Sequence, residues 1–344
     1  MLSLDVSRLC ERASLSVSRT WPGAMVDNPR PLEGGISSIT VVATLRRPHS
    51  PDALVVLKVA PPGLPAIRNR DVLRQARLLI ALDPIAEVPT PRVLAMDEGS
   101  PNFFVMDMVN GDSHEPFTGV AGAPPPGEGV VYQRFLTAAR TLAAIHRVPP
   151  DLPPFLEEHR TDLGTEIARW ESLLATVDPS LCPRADELAA GLRATLPRAL
   201  TPALVHGDFR LGNLLFDGVR LNAVIDWELW ALSDPRIDLA WLLMHIDPPL
   251  RFAIDRQEGG IRRPSVPTTS EVLDSYATGG GCAILTDIEW FLALAHFRIS
   301  AAVAGIVKRG LRRAVPPPEI EVAARTIPET LDRGLAILAN ASRF

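Results

Sequence analysis

Cysteine is scarce in this chain of 344 residues: Cys10, Cys182 and Cys282 lie far apart, with no CxxC pair and no companion histidines at metal-ligand spacing. That excludes a disulfide framework and leaves reduced thiols, packed or bystander, as expected of a cytoplasmic protein. No run of roughly 18 apolar residues occurs, and the opening MLSLDVSRLCERASLSVSRTW lacks a continuous apolar core, so neither a membrane span nor an export signal is expected. Dense Lys/Arg tracts are missing as well, and with a net charge of −5 the chain is not expected to bind nucleic acid. There is no GxxxxGK[ST] loop and no GxSxG or HExxH motif, which disfavours P-loop ATPases and the common hydrolases. What the chain does have is 47 % hydrophobic and 22 % charged residues, enough to bury substantial cores in about two domains.

The most informative stretch runs from Leu204 to Leu243 and holds His206, Asp208, Asn213 and Asp226 between apolar runs. Asp208 precedes Asn213 by five residues, the step from Asp to Asn in the kinase loop HRDxxxxN, and Asp226 follows 13 residues later at the end of an apolar run. Leu214 to Phe216 and Leu221 to Ile225 read as short strands joined by Asp217-Gly218, a hairpin that would set Asn213 beside Asp226. Phosphoryl transfer needs these residue types: one carboxylate to orient the nucleophile and oxygen ligands for the hard Mg²⁺ that neutralises phosphate charge. Asp208 is the candidate general base, and Asn213 and Asp226 are the candidate metal ligands. Singly, each could be a helix cap or a turn residue; the constellation is what points to chemistry.

HGDFRLGN, the later AVIDWE and the downstream DPRIDLAWL together resemble the aminoglycoside phosphotransferase and choline kinase branch of the protein-kinase-like fold. The resemblance implies an α+β, two-lobed architecture: a small N-terminal antiparallel β-sheet lobe and a larger, mostly helical C-terminal lobe. It also implies ATP and Mg²⁺ as cofactors and Asp238 as the tie between catalytic loop and following helix. An Asp opening an apolar helix is equally what N-capping requires. Glu228 is placed to support magnesium or face substrate.

The first third reads as the nucleotide lobe. After an amphipathic segment at residues 2 to 18, Gly34 and Gly35 precede a β-rich run from Ile39 to Leu45. Their bare backbone amides could approach phosphate oxygens, with Ser37 and Ser38 adding hydroxyls, although a plain Gly-Gly hairpin fits the same residues. Lys58 sits inside the apolar strand ALVVLKV, where an unpaired ammonium is costly and an anionic partner is needed. In the family that partner is the α/β-phosphate pair, and a helix glutamate holds the amine. Here the sequence departs, because Gln75 stands where relatives carry that glutamate. The helix expected over 67 to 82, with Leu73, Ala76 and Ile80 on one face, leaves Asp71 or Gln75 to position Lys58.

Two further strands, PRVLAMDEG and NFFVMDMVNG, meet at a Gly-Ser-Pro turn over 99 to 101 and complete the sheet. The run 106 to 111 resembles a hinge, with Met106 lining the adenine pocket and the Asp107 carbonyl and Val109 amide reading the base. Residues 1–107 then form the nucleotide lobe, 108–112 the hinge and 113–344 the catalytic and substrate lobe. A Gly/Pro-rich loop at 111 to 129 leads into helices VYQRFLTAARTLAAIH, GTEIARWESLLATV and ADELAAGLRATL, then a loop capped into a helix in PSVPTTSEVL at 264 to 273, the helix DIEWFLALAHFRISAAVAGIV and, after a Pro-rich break at 314 to 321, a final amphipathic one. His146 closes the first of these as a dipole partner or packed core residue. The acidic balance suits a cationic acceptor, and Asp234, Asp247, Asp287 and Glu289 could line a pocket for one or serve as caps and surface charges. The expected function is ATP-dependent O-phosphorylation of a small hydroxylated metabolite or antibiotic, with an aminoglycoside as the nearest named acceptor. A nucleotide-binding scaffold with weak or no catalysis is the alternative that Gln75 raises.

Overall fold

The computed structural model describes residues 4–32, 38–65, 67–116, 126–127, 129–246, 265–282, 286–313 and 315–341. The chain opens with α1 (Val6–Ser18), whose first turn is capped by the Asp5 carboxylate accepting from the Arg8 amide at 3.0 Å. Strands β1 (Met25–Leu32), β2 (Ile39–Arg46) and β3 (Ala53–Val59) follow, then α2 (Val72–Leu82), β4 (Val93–Asp97) and β5 (Phe103–Asp107). They form one antiparallel sheet in the order β1-β2-β3-β5-β4, so β3 is central.

Strand parity decides what each face does. Val55, Leu57 and Val59 of β3 join Phe103 and Val105 of β5 in a core covered by Leu9, Ala13 and Val17 of α1. The alternate residues Val56, Phe104 and Met106 face the other way, into a core shared with α2 and the C-terminal helices. Lys58 pairs with Phe104 in register and therefore points to this second face. The hydrophobic pattern that builds the sheet thus aims its lysine at the rest of the molecule.

Helix α2 is shorter than the expected 67 to 82, because residues 68–70 form a separate 3₁₀ turn and Asp71 caps the helix by accepting from the Arg74 amide at 3.0 Å. Leu73 and Ala76 are buried as expected, but Ile80 is 47 % exposed. The inward face runs instead through Val72, Gln75, Leu79 and Leu82.

Beyond β5 the chain is stitched to the next layer. Asp112 exchanges backbone hydrogen bonds of 2.9 Å in both directions with Phe216, and the Arg134 guanidinium grips its carboxylate at 2.6 and 2.9 Å. That hydrogen-bonded pairing holds the Asp112 carboxyl below its usual range even though burial opposes it. Helices α3 (Val130–His146), α4 (Pro153–Leu156), α5 (Leu163–Leu174) and α6 (Ala185–Ala194) lead to a segment of short strands: β6 (Ala203–Val205), β7 (Leu214–Asp217), β8 (Arg220–Val224) and β9 (Ala231–Ser233). Three of the remaining helices are α7 (Arg236–Met244), α8 (Thr269–Thr278), capped reciprocally by Thr268 and Glu271, and α9 (Ile288–Gly310); α10 (Pro318–Ala341) is the last of the described elements. By length and composition α9 could cross a membrane, yet 78 % of its apolar stretch is buried within the protein, where it serves as a core helix.

Candidate functional site

The site is assembled by the hairpin β7–β8 and the loop before it. Strands β7 and β8 pair from Leu214↔Val224 to Asp217↔Arg220, and Gly218 takes φ 58° in the two-residue turn, a conformation a hairpin of this length needs. The Ile225 amide donates to the Asn213 carbonyl at 2.9 Å, which brings the end of β8 alongside the loop that carries Asp208. Asp226 follows immediately in a left-handed conformation (φ 64°, ψ 52°) that turns its side chain out of the strand direction. The expected hairpin and its juxtaposition of Asn213 and Asp226 are therefore present.

Asp226 Oδ1 lies 3.1 Å from Lys58 Nζ, and the Ser38 hydroxyl is 3.5 Å from the same ammonium. The lysine, one of only two in the sequence, is largely shielded at 13 % side-chain exposure. The expectation that Asp71 or Gln75 holds Lys58 is corrected by this geometry. Asp71 is spent on capping α2 and lies 3.7 Å from Arg77, while the Gln75 Nε2 is buried with no hydrogen-bond partner among the described residues. A neutral amide cannot compete with the Asp226 carboxylate for an ammonium. Gly34, Gly35 and Ser37 lie outside the described residues.

Asp208 receives three donors. Trp241 Nε1 donates to Oδ1 at 2.9 Å, Asn213 Nδ2 to Oδ2 at 2.8 Å, and Arg210 Nε to both oxygens at 3.2 and 3.3 Å. Asn213 Nδ2 also reaches the Asp208 carbonyl at 2.8 Å; with its nitrogen side fixed on two acceptors, its Oδ1 is the atom left to face a ligand. Arg210 continues to Glu115, whose Oε2 also accepts from the Gly212 amide at 2.9 Å. Burial acts to lower the Arg210 guanidinium, but the Asp208 and Glu115 carboxylates outweigh it and hold it above its ordinary value.

Behind the loop, His206 Nε2 lies 2.9 Å from the Ile225 carbonyl while its Nδ1 accepts from the Asp208 amide at 3.2 Å, which requires the tautomer protonated at Nε2. Asp238 accepts from the His206 and Gly207 amides, so it ties the loop to α7 as expected. It does not cap that helix: it is the third residue of α7, and Asp234 instead accepts from the Arg236 amide at 3.1 Å. Full burial would raise the Asp238 carboxyl, but His146, 3.9 Å away, and the His206 contacts hold it below the usual range. His146 is itself packed at the end of α3 with Nδ1 2.8 Å from the Tyr276 hydroxyl. Arg298 of α9 donates to the Gly207 carbonyl at 2.8 Å, stacks over Trp241 at 4.8 Å and pairs with the buried Glu166 at 3.1 Å.

Met106 is buried at the end of β5, the Asp107 amide donates to Arg92, and the Val109 amide beyond the strand has no hydrogen-bond partner among the described residues. Of the four acidic residues that could line an acceptor pocket or serve as caps and surface charges, the three described ones have other surroundings. Asp234 and Asp287 flank the Arg236 guanidinium at 2.8 and 3.4 Å, Glu289 is exposed, and Asp247 lies outside the described residues. Among the described residues no group of three or more His, Cys, Asp and Glu could hold a metal.

A two-lobed α+β fold carrying this loop and hairpin is the protein-kinase-like architecture. The sequence profile of the phosphotransferase enzyme family (APH) matches residues 30–268, and the chain belongs to that family. Similar solved structures include an inferred aminoglycoside phosphotransferase from Ralstonia eutropha JMP134 (22 % identity, TM-score 0.75, 98 % of this chain and 99 % of that one). The macrolide 2′-phosphotransferase of Brachybacterium faecium (22 %, TM-score 0.58, 93 % and 98 %) shares the fold too. Among curated proteins, mouse acyl-CoA dehydrogenase family member 10 is 29 % identical over 76 % of this chain, and human member 11 is 27 % identical over 74 %. The chain spans 25 % and 34 % of the lengths of those two proteins.

Arg210, Trp241, Glu115 and Arg298 were not singled out from the sequence. Arg210 lies inside HGDFRLGN and Trp241 inside DPRIDLAWL, both quoted motifs, but Glu115 and Arg298 carried no local signal.

Proposed function

We propose that this chain is an ATP-dependent O-phosphotransferase that moves the γ-phosphoryl group to a hydroxyl of a small molecule. The observation that supports this best is that Lys58 pairs with Asp226, while the adjoining Ile225 amide binds the Asn213 carbonyl and Asn213 in turn donates to Asp208. Lys58 and Ser38 would meet the nucleotide phosphates, Met106 would line the adenine site, and the unpartnered Val109 amide with the Asp107 carbonyl would read the base. Residues 1–107 then act as the nucleotide lobe, 108–112 as hinge and 113–344 as the catalytic and acceptor lobe. Gln75 is given no contact with the nucleotide.

Asn213 Oδ1 and the Asp226 carboxylate would hold Mg²⁺, which when bound neutralises phosphate charge. Asp208 orients the acceptor hydroxyl and takes its proton as the new O–P bond forms and the bond to the bridging oxygen breaks, with ADP leaving. The Lys58–Asp226 pair keeps both groups in place before nucleotide arrives, so little reorganisation is required on binding. Intact Lys58, Asp208, Asn213 and Asp226 favour this reading over a catalytically idle scaffold.

The experiment is a screen for acceptor-dependent ADP release over sugars, amino alcohols, aminoglycosides and macrolides. Hydroxyacyl thioesters are added because of the names of the curated relatives, and GTP is run beside ATP. Asp208→Ala should lower turnover by roughly 10²- to 10⁴-fold with ATP binding largely kept, as for a positioned base. Full activity in that variant would refute the assignment.

A further inference from the structure

Hydrogen-bond accounting leaves Asp208 without a free acceptor site. A carboxylate offers about four lone-pair directions on its two oxygens. Trp241 occupies one on Oδ1, Asn213 one on Oδ2, and the Arg210 Nε–H is shared between both oxygens at 3.2 and 3.3 Å. An incoming hydroxyl needs a lone pair to donate to, so it has to displace a donor from at least one oxygen, and the shared Arg210 hydrogen spans two of the directions it could use.

The three are not equally movable. Trp241 is buried in α7 and stacked on Arg298, and Asn213 is anchored a second time on the Asp208 carbonyl. Arg210 makes the longest bonds of the set, through one shared hydrogen, on a side chain 31 % exposed. It also has a destination. Its Nη1 already touches Glu115 Oε2 at 3.3 Å, and Glu115 Oε1 is buried with no hydrogen-bond partner among the described residues. A buried carboxylate oxygen left without a donor is costly, and a guanidinium fork matches both oxygens of one carboxylate. Moving from Asp208 to Glu115 would keep the cation paired throughout and satisfy the orphaned oxygen.

We propose that Arg210 is a gate on Asp208: it covers the carboxylate until an acceptor arrives, then closes bidentately on Glu115 and frees Asp208 to receive the hydroxyl. The inference rests on the phosphotransferase reading of Asp208. Its consequence is coupling, because a covered Asp208 cannot orient water against bound nucleotide when no acceptor is present.

The test compares Arg210→Met, Glu115→Gln and the double variant, measuring acceptor-stimulated transfer and acceptor-independent ATP hydrolysis. Arg210→Met should raise hydrolysis without acceptor about tenfold while transfer persists; Glu115→Gln should lower acceptor-stimulated kcat about tenfold with the KM for ATP unchanged. The double variant should behave like Arg210→Met, since a gate already removed needs no destination. Additive losses, or an Arg210→Met variant that loses transfer without gaining hydrolysis, would overturn the gate. A second readout needs no turnover: the ¹⁵N-labelled Nε–H resonance of Arg210 in nucleotide-free protein. It should move in Asp208→Asn and sharpen to one environment in Glu115→Gln. A resonance indifferent to both substitutions rules the gate out even if every acceptor fails, whereas absent Asp208-dependent turnover with the resonance behaving as described indicts the phosphotransferase reading alone.

Discussion

Replacing Gly207 with alanine is the most searching single perturbation of the catalytic loop. Gly207 sits between His206 and Asp208 at φ 87°, with its amide donating to Asp238 at 2.9 Å and its carbonyl accepting from Arg298 at 2.8 Å. A methyl group there would stand 2.5 Å from the Leu229 carbonyl oxygen and 2.8 Å from the Leu229 Cβ. The left-handed conformation alone costs about 1–2 kcal/mol for a residue with a Cβ. The overlap is with backbone, so a rotamer change cannot relieve it, and together the two effects should destabilise the fold by about 2–4 kcal/mol. Whichever side yields, Asp208 moves with it, and a displacement of a few tenths of an ångström should lower turnover by about 10- to 100-fold. Urea unfolding and steady-state kinetics measure both. Gly218→Ala is the control: φ is 58°, but nothing lies within 4 Å of the added methyl, so strain without collision is isolated. Its cost should stay near about 1 kcal/mol with turnover unchanged. If the Gly207 variant resembles the Gly218 variant in both assays, the collision argument is wrong.

Trp241→Phe keeps the ring over Arg298 but removes the N–H that reaches Asp208, and should lower kcat about tenfold with the KM for ATP unchanged; wild-type turnover would show the donor to be idle. His296 titrates far below its ordinary value, pushed to about 3 by burial and then by Arg333 and His245. Because the folded state binds that proton later than an unfolded chain with pKa about 6.5, the contribution to stability is complete above pH ~6.5 and declines toward pH ~3, at up to about 1.4 kcal/mol per pH unit. Urea midpoints from pH 7 to 4 should fall less steeply in His296→Asn, and parallel slopes would contradict the assignment. Glu166→Leu combined with Arg298→Met replaces a buried ion pair by apolar groups, so the loss of the pair itself should cost little, while the Trp170 indole and Gly207 carbonyl left without partners should each cost about 1–3 kcal/mol and turnover should drop as the loop and Trp241 lose their support. Turnover equal to wild type would leave that pair without a positioning role.

Local sequence patterns were legible where one face or one turn decided the outcome. The alternation in ALVVLKV and NFFVMD set the two faces of the sheet and aimed Lys58, and Asp217-Gly218 marked the hairpin that joins Asn213 to Asp226. The same reasoning failed where a residue had a nearer partner than the pattern showed. Asp238 was expected both to tie the loop to the helix and to cap it; the loop amides of His206 and Gly207 claim it for the tie, and the capping half fails because Asp238 lies inside α7, where the Arg236 amide turns to Asp234. Ile80 fitted a helical stripe built on Leu73 and Ala76, but the true inward face is rotated toward Val72 and Leu79, and Ile80 meets solvent.

The deeper limit is sequence separation. Of the donors on Asp208, Trp241 lies 33 residues away and could be found only when the fold was known, and the partners that steady the site lie farther still, Glu115 being 95 residues from Arg210 and Arg298 91 residues from Gly207. Hydropathy cannot flag such groups, because Arg298 and Glu166 occupy buried positions in otherwise apolar helices where periodicity predicts only packing. Charges buried this way are costly unless paired, and each end of this pair bonds an indole or a loop carbonyl as well as its partner. Motif spacing therefore locates Asp208, whereas the distant groups that occupy or steady its lone pairs belong to the tertiary structure, and under the proposed function it is those lone pairs that an acceptor hydroxyl would need.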